Sequence, residues 1–412
     1  MRHATAGTGP HVLREINRDL VLRILRSAED PPRVIDLSQA TGLSRPAVMR
    51  ALADLGGAGL VESLDPADVA APRIGRPAQR ARFRAELGHV VGVDVGPHKI
   101  LVKVADLAGR VVATRRLDVS DRTGGAEILA AAGDAIAGGI ADVRTGAAAC
   151  APWAITVASP GLVSTGRGDV RLTPSMPGWA GLPIVDVLRE RFDCPVLLEH
   201  DVTLSLVGER WLGVARDVDS AVFVQWGERI GASILINGVP YRGAHVAAGE
   251  LGFLDVGTAG SGDTPLAAGG VGPFERLVGA QAILTLARAM SAADAGGALH
   301  RTLSLAGPDS GLPALFAAAA AGDPTATAIV DTVAHRFARG LAPLILLVDP
   351  QRVIIGGGVS RAGAPLLDAV RAAVAGRVLE TPEITLSPLG EESVALGAVR
   401  HALDSVEDRL RV

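Results

Sequence analysis

Cysteine is nearly absent: Cys150 and Cys194 are the only two in 412 residues. Two distant thiols without metal-type spacing exclude a disulfide framework and fit a reducing compartment. Aromatic residues make up only 3% of the chain. The core must therefore be built from Ala, Val, Leu and Ile, as in an α/β protein. No segment reaches about 18 uninterrupted apolar residues, and the N-terminus has no apolar core of the signal-peptide kind. A cytoplasmic protein with no membrane partner is the expectation. The 50 glycines follow no repeat period, which argues for many turns and against a fibre.

Lysine is also missing from the first 86 residues, which hold 13 Arg and 10 acids within a chain of net charge −4. A basic start to an acidic chain hints at an anionic partner. After a flexible 1–10, Leu13, Ile16, Leu20 and Ile24 recur at helical spacing and predict a helix with one buried stripe. A short helix over 34–41 follows, stopped by Gly42. Ser44 is placed as an N-cap and Pro46 in the first turn of a third helix ending at Gly56-Gly57. Its Val48, Leu52 and Leu55 share one face, and Arg45, Pro46, Met49, Arg50 and Ala53 another. Two short helices joined by Thr41-Gly42-Leu43-Ser44 make a helix-turn-helix, and Gly59-Leu60-Val61-Glu62 opens a wing. In that arrangement Ser44, Arg45, Pro46, Met49 and Arg50 face the major groove of an operator. A small helical bundle with a solvated Arg face is the plainer alternative.

The segment PRIGRPAQRARFR has five Arg and no acid. Arg76 in Gly75-Arg76-Pro77 suits a minor groove; a basic linker is the alternative. The expected organisation is a winged helix over 11–71, a linker over 72–87 and a larger body over 88–412. In the body, VVGVDVG is a buried strand ending in a turn, with two further strands and then an Ala-rich helix. That order opens an actin-like lobe. Later come a strand reaching Glu199, a helix from Val202, a hairpin over 221–238, several helices, and a strand running into Gly356-Gly357-Gly358.

NRDLVLRIL, TGLSRPAV, Gly75-Arg76-Pro77, VGVDVGPHK, ASPGLV, Pro177-Gly178-Trp179, EHDV, RIGASILINGVPYRGAHVAAGELG and VDPQRVIIGGGVS occur in this order. Together they resemble the ROK family of repressors, open reading frames and sugar kinases, and more narrowly its regulators with an N-terminal winged helix. The resemblance implies an α/β fold: a winged helix-turn-helix followed by a two-lobed, actin-like, ribonuclease-H-like body. Lobe one would span about 88–198 plus the C-terminal helix at 392–410, and lobe two about 199–391. It also implies a DNA-binding transcriptional regulator, most simply a repressor. The body would dimerise, with a tetramer as the alternative, and sense a sugar or sugar derivative. His200, Asp201, Glu250 and Glu275 would contact the sugar, because carboxylates accept hydroxyl hydrogen bonds. Asp201 would be a vestigial catalytic base. The plainer roles are a helix cap for Asp201, a surface acid for Glu250, a first-turn acid for Glu275 and a polar core residue for His200.

The vestigial phosphate loops would hold Asp94, Gly96, Lys99, Gly227, Gly231 and Gly357. Here His98 replaces a Thr, Pro97 removes an N–H, and Gly227-Glu228-Arg229 replaces Gly-Thr-Gly. Glu228 would repel a triphosphate. Arg229 is expected at a turn position favouring positive φ, at a cost of roughly 1–2 kcal/mol. The family's zinc ligands are missing, since residues 253–273 contain neither Cys nor His. Neither zinc nor ATP is expected, and no enzyme activity. An active sugar kinase with an appended DNA-binding domain is the competing reading.

Overall fold

The computed structural model describes residues 10–64, 79–120, 123–143, 151–164, 166–257, 270–294, 297–306 and 308–410. Residues 1–9 of the expected flexible N-terminus lie outside them, as does Gly75-Arg76-Pro77.

The N-terminal unit holds α1 (Pro10–Ser27), α2 (Val34–Thr41), α3 (Arg45–Gly57), β1 (Val61–Leu64) and β2 (Arg80–Phe83). Gly42, at φ 71°, turns the chain between α2 and α3, where a side chain would be strained. Strands β1 and β2 pair antiparallel, with Val61 opposite Phe83 and Leu64 opposite Arg80. Arg80–Phe83 was expected to be linker. Instead it closes the wing, because Ala81 and Phe83 alternate inward and are buried. On α1 the expected stripe is also corrected. Val21, Leu22 and Leu25 are buried, whereas Leu13 and Ile16 are 52% and 45% exposed. Burial on α1 is confined to its second half, where it meets Val48, Leu52 and Leu55 of α3.

Lobe one contains β3 (His89–Val95), β4 (Lys99–Asp106), β5 (Val111–Asp118), α4 (Gly125–Val143), β6 (Ala154–Ser159), β7 (Leu162–Ser164), β8 (Asp169–Leu172), α5 (Ile184–Phe192) and β9 (Val196–His200). Its main sheet runs β5-β4-β3-β6-β9. Strand β3 is antiparallel to β4 but parallel to β6, and β6 is parallel to β9. Helix α6 (Asp201–Trp211) then leads to lobe two: β10 (Ala221–Trp226), β11 (Ile230–Ile236), β12 (Val239–Tyr241), α7 (Pro273–Val278), α8 (Ala280–Ser291), α9 (Ala298–Leu305), α10 (Pro308–Ala320), α11 (Pro324–Val348), β13 (Arg352–Gly356), α12 (Ala364–Ala375) and β14 (Glu383–Leu386). Its sheet runs β12-β11-β10-β13-β14, the same pattern of antiparallel and parallel neighbours. The body is thus one topology built twice. In lobe two, Trp226 stacks on Phe337 at 3.7 Å between ring centres and donates its indole N–H to the Val278 carbonyl at 2.8 Å.

The chain returns to lobe one through α13 (Ser393–Ser405) and α14 (Glu407–Leu410). Ala398, Val399 and Ala402 of α13 are buried on the lobe-one sheet, against Val90, Ala154 and Ala158. Its other side meets α6 backbone to backbone. A Cβ on Gly397 would sit on the Leu204 carbonyl, and one on Gly208 would meet the Ser393 carbonyl. Ser393 Oγ donates to Ser205 Oγ across this seam at 3.3 Å. Gly397→Ala should therefore destabilise the protein by about 1–3 kcal/mol or more, since the atom it meets is backbone and cannot rotate away. Thermal unfolding followed by circular dichroism checks this; an unchanged midpoint would mean that the two helices are further apart than described.

Candidate DNA-reading face and effector cleft

Helix α3 is amphipathic in the sense a reading helix needs. Val48, Ala51, Leu52 and Leu55 are buried, while Ser44, Arg45, Pro46, Met49 and Arg50 are all exposed. Ser44 sits at the N-cap in extended conformation, but its side chain makes no capping hydrogen bond. The acid on this helix, Asp54, is taken by Arg14 of α1 through two bonds at 2.6 and 2.8 Å. Arg45 and Arg50 have no ion-pair partner among the described residues; Arg50 Nε donates to the Pro46 carbonyl at 3.3 Å. The face therefore presents two uncommitted cations at a helix N-terminus, suited to phosphates and guanine edges. Arg76, outside the described residues, belongs to the stretch joining β1 to β2.

The winged helix is built onto the body. Leu107 and Leu410 are buried in the same cluster as Leu37, Leu55 and Phe83. Arg26 of α1 pairs with Glu407 at 2.7 Å and donates to the Leu107 carbonyl. Sequence reading missed this junction, since nothing local marks an arginine for a partner near the opposite end of the chain.

Of the expected effector residues, Glu275 lines the cavity between the lobes, and His200, Asp201 and Glu250 lie near one another outside its lining. Strand β9 ends at His200, and Asp201 begins α6, so the β-to-α turn presents both. Asp201 accepts from the Val202 N–H at 2.8 Å and lies 3.2 Å from His200 Nε2. Burial raises the pKa of Asp201, against the pull of His200. Burial raises Glu250 as well; His200 draws it down, and the charges of Asp201 and Glu275 push it up. These groups therefore share one electrostatic site. Glu250 makes no hydrogen bond among the described residues that would occupy its oxygens. Glu275 is committed: it accepts from the N–H groups of Gly272 at 2.8 Å and Ile230 at 3.1 Å, and pairs with Arg229 at 3.2 Å. Its first-turn place on α7 gives it a structural role in addition to any ligand contact. The preceding Glu199 is buried and held by Arg242 of lobe two at 2.7 Å.

The two turns expected to be vestigial phosphate loops each close on a backbone hydrogen bond of their own. Gly96 N–H donates to the Lys99 carbonyl at 2.9 Å, and Pro97 has no N–H to offer. The Lys99 ammonium lies 3.4 Å from Asp94 and donates to the Glu391 carbonyl at 3.0 Å. In the second loop Gly227 N–H donates to the Arg229 carbonyl at 3.1 Å. Glu228 faces His98 across the cleft at 3.7 Å, so the two loops meet each other. The expected strain at Arg229 is corrected. The non-glycine positive-φ positions among the described residues are Asp193, Asn237, Val246 and Asp349, so the three-residue turn forms without it. Gly231 lies in β11 opposite Gln225. Gly357, at φ 85°, packs where a Cβ would meet the Trp226 backbone.

Comparison with known proteins is decisive for the body. The ROK family pattern matches residues 90–404, and an IclR helix-turn-helix domain pattern matches residues 20–65. The chain belongs to the ROK family. It is 31% identical over 318 residues to a glucokinase of Thermotoga maritima, covering 75% of this chain and 95% of that one. It is 24% identical over 365 residues to the DNA-binding transcriptional dual regulator NagC of Escherichia coli, covering 88% and 85%. A crystal structure described as a ROK family transcriptional regulator, homologous to the E. coli MLC protein, superposes with a TM-score of 0.74 at 21% identity, covering 95% and 96%, and shows the same fold. This ROK chain also has, among its described residues, no helix long and apolar enough to cross a membrane.

Asp94 carries a pH signature. Burial pushes its carboxyl up to about 6, against the pull of Lys99, and the charge of Asp201 adds to the rise. A native group that holds its proton more tightly than the unfolded chain contributes stability that is full below about pH 3.8 and lost as pH rises through about 6. Asp94→Asn should thus gain stability on the parent at pH 8 compared with pH 4.5. Melting temperatures of both proteins across that range test it, and a constant difference would remove Asp94 from the account.

Proposed function

We propose that the chain is a cytoplasmic DNA-binding repressor whose ROK body senses a sugar or sugar derivative. It acts as a homodimer, with a tetramer as the alternative. One observation carries the reading: the winged helix shares its core with the body, at the end of a helix path that begins in the cleft. Asp201 heads α6, α6 lies backbone to backbone on α13, and α13 continues into α14, whose Glu407 holds Arg26 of α1. A ligand that favours one separation of the lobes would change the angle of α6 to α13, and with it the spacing of two reading helices in a dimer. Such a ligand must bind the two arrangements unequally for any switch to exist. Half-sites about one helical turn apart are the geometric consequence. Similarity to NagC and to a xylose repressor of Caldicellulosiruptor bescii, over 85% and 80% of their lengths, supports the regulatory half of this reading.

In this reading Ser44, Arg45, Pro46, Met49 and Arg50 meet the operator's major groove, and Arg76 of Gly75-Arg76-Pro77 its minor groove. His200, Asp201, Glu250 and Glu275 meet the effector. This reading involves neither zinc, since residues 253–273 lack Cys and His, nor ATP, since Glu228 would repel a triphosphate and Lys99 donates to the Glu391 carbonyl.

Fluorescence anisotropy against duplexes tiling the chain's own upstream region, at physiological salt with non-specific competitor, tests the repressor. Saturable binding to one tile is expected, and Arg50→Ala should weaken it by roughly 1–3 kcal/mol if Arg50 reads a base. Equal weak binding to every tile would defeat the proposal.

A sugar kinase is the second reading, favoured by the 31% identity to a glucokinase and by Asp201 at the head of α6. Purified protein should show no sugar-dependent ATP turnover. A rate that appears with one sugar and vanishes in Asp201→Asn would make this reading the right one.

A further inference from the structure

Between β12 and Glu250 the chain makes a loop over residues 242–249, and both of its ends rest on one strand of lobe two. Tyr241 pairs with Ile234 of β11, and the Gly249 carbonyl accepts from the Ala232 N–H at 2.7 Å. Gly249, at φ 90°, lies so close to that strand that a Cβ would fall on the Ala232 carbonyl. The Ala248 N–H donates to the Arg242 carbonyl at 3.2 Å and closes the loop on itself. The loop is also tied to the other lobe twice. Arg242 donates to Glu199, at the end of β9, at 2.7 Å, and Arg171 of β8 donates to the His245 carbonyl at 3.0 Å. The first tie is costly to undo. Glu199 is 1% exposed, its other oxygen accepts from the His200 N–H at 2.9 Å, and loss of Arg242 would strip a buried carboxylate of its cation.

Val246, next to the second tie, stands at φ 56°. The other non-glycine residues at positive φ among those described are Asp193, Asn237 and Asp349, short polar side chains that tolerate left-handed backbone; a β-branched side chain does not. Strain of this kind persists only where the surrounding contacts outweigh it. Here those contacts include the two ties to lobe one. We propose that residues 242–249 are a strained strap that holds the two lobes at the separation seen here and opens when its arginine ties are lost. Two opposing terms set its balance: the ties close it, and Val246 drives it open. Glu250 follows directly on the strap, and His200 and Asp201 follow directly on Glu199, so the strap also fixes how those carboxyls stand to one another. None of this depends on the repressor reading or on any ligand.

Hydrogen exchange of the full-length protein, read by mass spectrometry, tests the strap at the Ala232 and Ala248 amides, which the Gly249 and Arg242 carbonyls protect. Arg242→Gln should speed their exchange about tenfold or more, the equivalent of one lost hydrogen bond to a charged group, with the winged helix and α11 unchanged. Val246→Gly should slow it about fivefold, since glycine takes a positive φ at no steric cost. The sign of that second change separates a strained strap from an ordinary loop, in which glycine would loosen the backbone and speed exchange. Small-angle X-ray scattering reads the lobes: Arg242→Gln should enlarge the radius of gyration, and Val246→Gly should leave it as it is. If Arg242→Gln does not fold, Arg171→Gln, at an exposed position, should give the same changes in smaller degree. Exchange that is faster or unchanged in Val246→Gly, exchange unchanged in the arginine variants, or a freed strap with an unchanged radius of gyration would each overturn the proposal.

Discussion

Two helices in backbone contact hold this molecule together. Helix α6 begins at Asp201, and α13 covers the lobe-one sheet before α14 meets the winged helix. They meet through Gly208 and Gly397, where any side chain would collide with a carbonyl. Close approach of this kind leaves little room for sliding, since packed interiors move between discrete arrangements more readily than they deform. The lobes and the DNA-reading unit are therefore joined by elements in direct contact.

The second constraint is charge in a confined space. Asp94, Asp201 and Glu250 are held partly or wholly from water, and burial raises the pKa of all three. A kinase would offset such charge with a nucleotide's metal ion and donate loop amides to its phosphates. Here the Gly96 and Gly227 N–H groups and the Lys99 ammonium are bonded within the chain, and Glu228 lies 3.7 Å from His98. Lobe two contributes arginines of its own.

Much of this was legible in the residues. The helix-turn-helix, the buried strand VVGVDVG, the hairpin over 221–238 and the last helix stand where periodicity and turn residues put them. The exposed set on α3 was readable because a 3.6-residue period separates Val48 and Leu52 from Arg45 and Met49. Less regular pieces escaped: the β7–β8 hairpin, α9, and β14, a four-residue strand whose pairing depends on β13. The wing was cut short, because Arg80–Phe83 reads as a basic run until it is seen opposite Val61. Leu13 and Ile16 match a buried stripe in spacing, yet the buried residues of α1 begin only at Val21.

By itself the sequence determined the order of elements, the two-part organisation and the family to which the body belongs. These follow from local period, from glycine and proline at turns, and from short motifs whose order no packing can change. Only the tertiary structure decided the partners: Arg26 with Glu407, Arg229 with Glu275, Arg242 with Glu199, His98 with Glu228, and Arg336 left facing a cavity. Each of those outcomes is a distance between side chains far apart in the chain, and such distances exist only once two lobes and a winged helix have packed.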